Sequence, residues 1–240
     1  FFADERGVVQ GAAYLNAEDA GHALRVLRLE SGDEVELVCA PARYRAKIDS
    51  TEGGEVRLRV IEKLRDTEAK TRVTLYQGLP KADKMELIIQ KAVELGAFQV
   101  IPVSMKRCVV KLDEKKADAK IKRWQGIAEA AAKQSKRGVI PTVAPVMSYV
   151  QAVKTASEMD LKLVPYELAE GMPQTKQLIE SARPGQQIAI FIGPEGGFDP
   201  EEIRLATEAG IQPITLGKRI LRTETAGFTT IAWLMYQLEN

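Results

Sequence analysis

The sequence has few of the residues on which redox, metal and covalent chemistry most often depend. Two cysteines, Cys39 and Cys108, and one histidine, His22, occur in 240 residues. Two cysteines without metal-ligand spacing argue against a disulfide scaffold and against a zinc site, and a lone histidine weakens any histidine-based triad. A reduced, cytoplasmic compartment is therefore expected, and no metal is predicted.

Long hydrophobic runs are also missing. No segment approaches the roughly 18–20 apolar residues that a membrane-spanning helix needs, and the charged residues 1–6 do not resemble a signal peptide. Hydrophobic residues make up 45% of the chain and charged residues 28%, as in an ordinary soluble globular protein. A spanning helix is therefore excluded, and no membrane partner is expected.

Three common catalytic or nucleotide-binding patterns are absent as well. The chain has no Gly-x-Gly-x-x-Gly after a first strand, no Gly-x-x-x-x-Gly-Lys-Ser/Thr loop and no Gly-x-Ser-x-Gly elbow. A dinucleotide-binding Rossmann site, a Walker phosphate loop and an α/β-hydrolase nucleophile are therefore unsupported.

Charge is unevenly distributed, although the formal net charge is only +1. Residues 1–70 carry a net charge of −3, residues 71–140 of +8 and residues 141–240 of −4. A basic middle between two acidic parts is consistent with a local polyanion-binding surface. It is equally consistent with a solvated helix face, so charge alone leaves both interpretations open.

The first 70 residues alternate apolar and polar side chains with the period of half-buried strands. Such alternation predicts strands near residues 34–39, 43–48 and 56–60, separated by turn sequences. We expect a small meander curled into a barrel. A short helix predicted over residues 18–28 would bring Arg25 and Arg28 close together.

After residue 70, apolar strands alternate with helices. Predicted strands cover residues 73–76, 98–103, 161–164, 188–192 and 214–216, and predicted helices cover 84–95, 119–137, 199–210 and 226–238. This order is typical of a parallel sheet covered on both faces. The sequence therefore predicts two domains, a β-rich one over residues 1–70 and an α/β one over residues 71–240.

A glycine-rich turn follows the predicted strand at 188–192. Residues 193–198 read GPEGGF, and a helix capped by Asp199 comes next. Glycines allow a ligand to approach the backbone closely, and ligands of open α/β sheets bind beyond the carboxyl ends of strands. A tight turn without a ligand is the alternative, which three glycines in five residues make less favourable.

A second motif joins the last predicted strand to the last helix. Residues 216–226, LGKRILRTETA, place three cations, a carboxylate and two hydroxyls between apolar flanks. A helix start would explain Thr223 or Thr225 as N-cap and Glu224 in the first turn. It does not explain the cations, which are disfavoured at the positive end of a helix. We interpret them as an anion-binding or transition-state feature.

These two motifs together resemble the signature of the SPOUT methyltransferases and, within them, the bacterial 16S rRNA uridine-N3 methyltransferase family. The resemblance extends over nearly the whole chain, through residues 22–28, 77–81, 84–86, 90–96 and 130–137. It implies a PUA-like RNA-binding β-barrel over residues 1–70 and a SPOUT parallel-sheet domain with a deep trefoil knot over residues 71–240. It also implies a homodimer, S-adenosylmethionine as methyl donor, and 16S rRNA as substrate. The rRNA is expected to be methylated within the small ribosomal subunit.

The family's site residues carry over by position. Those implied to bind the cofactor are Pro165, Tyr166, Gly193, Glu195, Gly196, Gly197, Leu216, Ile220, Leu221, Arg222 and Thr225. Arg222 is expected to stabilise the uracil imidate as the N3 proton leaves. Glu224 is a candidate base or an organiser of Arg222, and Glu195 fits the same role.

The basic residues supply candidate phosphate contacts. They are Arg25, Arg28, Lys81, Lys84, Lys106, Arg107, Arg123 and Arg137. A single-stranded or flipped uridine is expected, because N3 of uracil is occupied in a base pair. Two alternatives stay open: a SPOUT enzyme that methylates a ribose 2′-hydroxyl or another base, and a non-catalytic RNA-binding assembly factor.

Overall fold

The computed structural model describes residues 1–169 and 171–239, which form two compact units. The first unit comprises residues 1–68 together with residues 136–139, and the remaining described residues form the second. The sequence carries no sign that the chain returns briefly to the first unit after a long helix, and the domain bounds 1–70 and 71–240 stay a prediction.

The first unit contains a curled antiparallel sheet in the order β1-β4-β3-β2. Its elements are β1 (Ala12–Tyr14), α1 (Ala17–Gly21), β2 (Glu34–Cys39), β3 (Ala42–Ser50) and β4 (Arg57–Lys63). The N-terminal residues bridge the two edge strands, since Ala3 N–H donates to Val38 at 2.8 Å and Asp4 N–H to Tyr14 at 2.9 Å. This closure accounts for the barrel-like curvature and confirms the β-rich first part.

The predicted helix over residues 18–28 is shorter than expected. Helix α1 is followed by a π-helical turn, His22–Val26, and Arg28 lies beyond it with a left-handed φ of +55°. Arg25 therefore lies inside the turn while Arg28 lies in the loop after it. The alternation that predicted the strands is confirmed by the core, where Leu37, Ile48 and Leu58 are at most 2% exposed.

The second unit is an α/β structure built on a parallel sheet. Its strands are β5 (Arg72–Gly78), β6 (Gln99–Ser104), β7 (Thr142–Val143), β8 (Met147–Ser148), β9 (Leu161–Pro165), β10 (Gln187–Ile192) and β11 (Gln212–Ile214). Its helices are α2 (Lys84–Glu94), α3 (Glu114–Gln134), α4 (Tyr149–Ala156), α5 (Met172–Glu180), α6 (Pro200–Glu208) and α7 (Thr223–Leu238). The predicted α/β class is confirmed, and the trefoil knot stays a prediction from the family resemblance.

The strand order brings distant parts of the chain together. The sheet runs β11-β9-β10-β5-β6-β7, β8 also pairs with β6, and the paired strands are parallel throughout. Strand β10 is inserted beside β5, with Ile192 opposite Gln77. The carboxyl ends of β5, β9, β10 and β11 therefore lie along one edge, where ligands of open α/β sheets bind.

Helices α2 and α6 both begin with the residue spacing of a capping box, Asp83 with Glu86 and Asp199 with Glu202, but only one of the two boxes forms. At α6, Asp199 and Glu202 form the box and Pro200 occupies the first turn, as predicted. At α2, the Asp83 side chain makes no capping bond, and Glu86 instead pairs with Arg123 on α3 at 2.9 Å. The ion pair with the neighbouring helix removes the Glu86 carboxylate from the box.

Candidate active site

Three loops at the carboxyl edge of the second sheet enclose a cavity of about 490 Å³. They follow β9, β10 and β11, and they contribute residues 165–167, 192–198 and 215–223 to the lining. Lys84, at the start of α2, and Ala226, on α7, complete it. The two sequence motifs therefore form one site, because parallel strands bring their carboxyl ends to the same edge.

Most residues predicted to hold the cofactor lie in this lining. They are Pro165, Tyr166, Gly193, Glu195, Gly196, Gly197, Leu216, Ile220, Leu221 and Arg222. Thr225 is exposed and does not line the cavity, and its role as a cofactor contact stays a prediction. Ala226, one position further along α7, faces the cavity instead, because consecutive helical residues point in different directions.

The loop after β10 is folded tightly. Gly197 has a left-handed φ of +67°, a conformation that glycine adopts without steric cost. A Cβ at Gly193 would lie 3.1 Å from the carbonyl carbon of Gly197, and one at Gly196 would lie 3.1 Å from the Cβ of Arg107. A side chain at Gly193 or Gly196 would require its neighbour to shift by a few tenths of an ångström, and glycine leaves backbone at the cavity wall.

Helix α7 begins at the cavity. Its N-cap is Arg222, whose side chain makes no capping bond, so the prediction of Thr223 or Thr225 as N-cap is wrong. Thr223 is the first helical residue, and its hydroxyl donates to the carbonyl of Gly193 at 2.6 Å. The first N–H groups of α7 thus lack a side-chain cap, and they give the cavity edge a partial positive charge.

Three cations of the second motif also line the cavity. Lys218, Arg219 and Arg222 are exposed, and within the described residues none of them forms an ion pair. Unpaired cations beside a helix N-terminus make this wall attractive to an anion. The arrangement agrees with the interpretation of the motif as an anion-binding or charge-stabilising feature.

Two carboxylates meet Lys84 beside the cavity. Its ammonium nitrogen lies 3.1 Å from Oε1 of Glu195 and 3.6 Å from Oε2 of Glu224. Burial raises the pKa of Glu195, but hydrogen bonds from its own backbone N–H, from Lys84 and from the N–H of Lys81 outweigh burial and hold that pKa below its ordinary value. Glu195 is therefore ionised at neutral pH.

Glu195 and Glu224 occupy different positions. Glu195 lines the cavity, whereas Glu224 does not. Oε2 of Glu224 is buried and accepts no hydrogen bond from the described residues, and it faces the ammonium group of Lys84. The geometry puts Glu195 at the cavity wall and Glu224 behind Lys84.

The predicted phosphate contacts other than Lys84 and Arg137 are exposed, and they fall into two groups by the protein partners of their side chains. Arg25 and Arg28 are exposed in the first unit, and Lys81 is exposed in the second. The others in the second unit have protein partners: Lys84 as described, Lys106 with Asp199 at 3.1 Å, Arg107 with the carbonyl of Gly196 at 3.0 Å, and Arg123 with Glu86. The first group is therefore the better placed for phosphate.

Arg137 differs from the other predicted phosphate contacts in being buried. Its side chain is only 8% exposed and pairs with Glu68 at 2.7 Å within the first unit. Glu68 also accepts the N–H of Gly138 at 2.7 Å. A guanidinium buried against the Glu68 carboxylate is poorly placed to meet RNA, so the proposed function does not rely on Arg137.

Sequence reasoning missed the position of Lys84 at the cavity and the bond from Thr223 to Gly193. Neither had a local signal, because each partner belongs to a distant strand end. Among residues 1–169 and 171–239, no three His, Cys, Asp or Glu side chains are grouped so that they could hold a metal ion. The same residues include no helix with the length and apolarity that crossing a membrane requires.

Comparison with known proteins places these features in a family. A family model described as an RNA methyltransferase domain matches residues 67–235. The ribosomal RNA small subunit methyltransferase E of Bacillus subtilis is 37% identical over 231 residues, covering 94% of this chain and 90% of that protein. The protein of that name from Synechocystis is 31% identical, covering 97% of this chain and 76% of the relative.

A solved structure agrees with the sequence matches. The ribosomal RNA small subunit methyltransferase E of Neisseria gonorrhoeae, crystallised bound to S-adenosyl methionine, superposes with a TM-score of 0.81 at 32% identity and covers 98% of this chain and 96% of that one. The match therefore includes both units and the loops that enclose the cavity. The chain belongs to the ribosomal RNA small subunit methyltransferase E family of RNA methyltransferases.

Proposed function

We propose that this protein uses S-adenosylmethionine to methylate N3 of a specific uridine in 16S rRNA. The observation that carries the proposal is the cavity of about 490 Å³, framed by the loops after three adjacent parallel strands and bordered by Arg222 and Glu195. Its size lies within the range of roughly 300–1,000 Å³ typical of cofactor sites. The family membership and the donor-bound relative support the same reading.

The residues present fit S-adenosylmethionine. The tight glycine loop at 193–197 and the uncapped start of α7 offer backbone donors and acceptors, and Leu216, Ile220 and Leu221 add apolar surface. When bound, the donor supplies an electrophilic methyl group on a sulfonium. The chain's own task is then to position the uracil and to manage its N3 proton.

The proposed chemical roles follow from position and charge. Arg222, exposed and unpaired among the described residues, stabilises the negative charge that develops on the uracil as N3 loses its proton. Glu195 lines the cavity as an ionised carboxylate and accepts that proton. Glu224 does not reach the cavity wall, so the proposal gives it a positioning role through Lys84 rather than that of the base.

RNA binding is proposed to use both units. In this reading the barrel-like part of residues 1–70 contacts phosphates through Arg25 and Arg28, and the methyltransferase part of residues 71–240 does so through Lys81. The exposure of all three side chains supports these roles. A uridine that is single-stranded or flipped out of its helix would present N3 to the cavity.

A homodimer is proposed as the active form. Helix α7 buries Ile231, Leu234 and Met235 but leaves Phe228, Trp233 and Leu238 only partly covered. A helix that is apolar on more than one side calls for a second partner. Sedimentation at assay concentration should show a dimer, and a fully active monomer would contradict this part of the proposal.

The decisive experiment maps the methyl group. Small-subunit rRNA from cells that lack this protein should lose one N3-methyluridine, measured by mass spectrometry of nuclease fragments. The wild-type gene should restore it, and a gene encoding Arg222→Ala should not. Loss of a ribose methyl group or of another methylated base would show that the protein methylates a different atom. An unchanged methylation pattern would favour a non-catalytic assembly factor.

A further inference from the structure

Gln77, near the end of β5, is a fully buried polar residue that does not line the cavity. Its side-chain nitrogen donates to the carbonyl of Gly78 at 3.0 Å and to the hydroxyl of Thr223 at 2.9 Å. The Thr223 hydroxyl then donates to the carbonyl of Gly193 at 2.6 Å. This chain of hydrogen bonds, the Gln77 relay, joins β5 to the loop after β10 and to the start of α7.

The donor and acceptor properties of these groups fix the direction of each hydrogen bond in the relay. The carbonyl of Gly78 can only accept, so it selects the NH₂ end of the Gln77 amide. Because that NH₂ group also donates to Thr223, the single hydroxyl proton of Thr223 is left for Gly193. Gln77 therefore determines which way the Thr223 hydroxyl points.

Only one end of the Gln77 side chain forms hydrogen bonds within the described residues. Its Oε1 is buried and has no hydrogen-bond partner among the described residues. Burying such an unsatisfied group is unfavourable, and an apolar side chain of similar volume would avoid that cost. A residue kept at a cost to stability suggests a role in the site that its neighbours form.

We propose that Gln77 is a positioning residue for the donor site, an inference that rests on the proposed function. Gly193 opens the loop at 193–198, and Thr223 stands between Arg222 and Glu224 in the chain. The relay therefore fixes the distance between Gly193 and Thr223 at the edge of the cavity. Gln77 thereby sets the geometry of the donor loops without contacting the donor.

The test compares Gln77→Met, Thr223→Val and Thr223→Ser by calorimetric titration with S-adenosylhomocysteine and by thermal unfolding. Gln77→Met and Thr223→Val should each bind about tenfold more weakly, because each breaks the relay. The double variant should bind no more weakly than either single one. Thr223→Ser, which keeps the hydroxyl, should bind within about twofold of the wild type.

Thermal unfolding separates positioning from a structural role. Gln77→Met should unfold close to the wild-type temperature, because removing the unsatisfied oxygen offsets the loss of the bonds to Gly78 and Thr223. Gln125→Met is the matched control: Gln125 donates to Pro141 at 3.2 Å and accepts from Val143 at 2.8 Å, with neither partner in the cavity lining. It should unfold at a lower temperature and bind normally.

Three results would overturn the inference. Normal binding by Gln77→Met, or weak binding that accompanies an unfolding temperature as low as that of Gln125→Met, would assign Gln77 no positioning role. Additive losses in the double variant would show that Gln77 and Thr223 act separately. Failure of the wild type and of Gln125→Met to bind S-adenosylhomocysteine would instead overturn the proposed function, and this inference with it.

Discussion

The ammonium group of Lys84 lies 3.1 Å from Oε1 of Glu195, the carboxylate at the wall of the cavity. The sequence predicts Lys84 as a phosphate contact, because it belongs to the basic middle of the chain. The structure instead uses its charge to hold Glu195 and to face the buried Oε2 of Glu224 at 3.6 Å. Lys84 thus connects the loop after β10 with the first turn of α7.

Replacing Lys84 with methionine should lower the free energy of unfolding at neutral pH by about 1 kcal/mol, since Lys84 and Glu195 are partly exposed although Oε2 of Glu224 is buried. The folded-state pKa of Glu195 lies below its ordinary value of 4.5. The pair's contribution is therefore complete above that value and is lost as pH falls through the folded-state pKa. Urea denaturation of wild type and variant should give stabilities that converge in acid.

Lys81→Met is the control for this comparison, because it keeps the backbone N–H that Glu195 accepts at 3.1 Å. Its stability should follow that of the wild type at every pH. A Lys84→Met deficit of the same size at acid and neutral pH would mean that the lysine acts through packing rather than through charge.

Arg222→Ala should slow methyl transfer by about 100-fold or more, because an interaction made only as charge develops appears in kcat. Binding of RNA and of the donor should change little. Lysine at this position should restore little activity, since a point charge does not reproduce the planar guanidinium fork. Single-turnover transfer at saturating RNA measures the effect, and normal turnover with weakened RNA binding would make Arg222 a phosphate contact.

Lys81 and Arg123 should differ in RNA binding, although both belong to the basic middle. Lys81 is exposed, so Lys81→Ala should weaken binding and reduce the salt slope by about one unit. Arg123 is paired with Glu86 at 2.9 Å, so Arg123→Ala should reduce the slope by less. Titration of an rRNA fragment at several salt concentrations compares the two, and equal slopes would show that the ion pair opens on RNA binding.

Arg137→Ala should destabilise the first unit by about 3–5 kcal/mol, because it leaves Glu68 buried without its partner. Arg204→Ala is the control, since Arg204 pairs with Glu208 at 2.7 Å on the exposed face of α6. That pair should contribute less than about 1 kcal/mol. Denaturant unfolding measures both, and a small loss for Arg137→Ala would return this residue to the candidate RNA contacts.

The longer elements of the fold could be predicted from local patterns. Strand β10 is a continuous apolar run, and α6 has its cap, its proline and its terminal glycine in sequence. Helices α4 and α5 were not predicted, because eight or nine residues contain too few turns for a clear period. Strand order could not be predicted either, since nothing in the sequence of β5 indicates that β10 pairs with it.

The site was predicted where its residues are consecutive and missed where they are not. Residues 193–198 and 216–223 line the cavity together because each stretch follows the end of a strand at the same edge of the sheet. The pairing of Arg137 with Glu68 joins positions 69 residues apart, and the Gln77 relay spans 146 residues. Such contacts are set by the tertiary fold, and composition or spacing carries no sign of them.

Gly78 lies where β5 packs closely against the loop after β10. A Cβ at this position would lie 2.7 Å from both the nitrogen and the Cδ of Pro194 and 2.9 Å from the sulfur of Met105. The first two contacts involve backbone and a rigid ring, so the loop after β10 must move to accommodate a methyl group. Gly78→Ala should therefore bind S-adenosylhomocysteine about tenfold more weakly and lose about 1–3 kcal/mol of stability.

Gly126→Ala is the control for this substitution, because its added methyl group would meet open space. Gly126 lies inside α3, and a Cβ there meets nothing within 4 Å. Alanine should stabilise the helix by up to about 1 kcal/mol and leave binding unchanged. Calorimetric titration and denaturant unfolding of the two variants separate the effects of backbone approach from those of the added methyl group. If Gly78→Ala binds as the wild type does, the sheet rather than the donor loop yields to the methyl group, and the close packing of Pro194 on β5 does not determine the shape of the cavity.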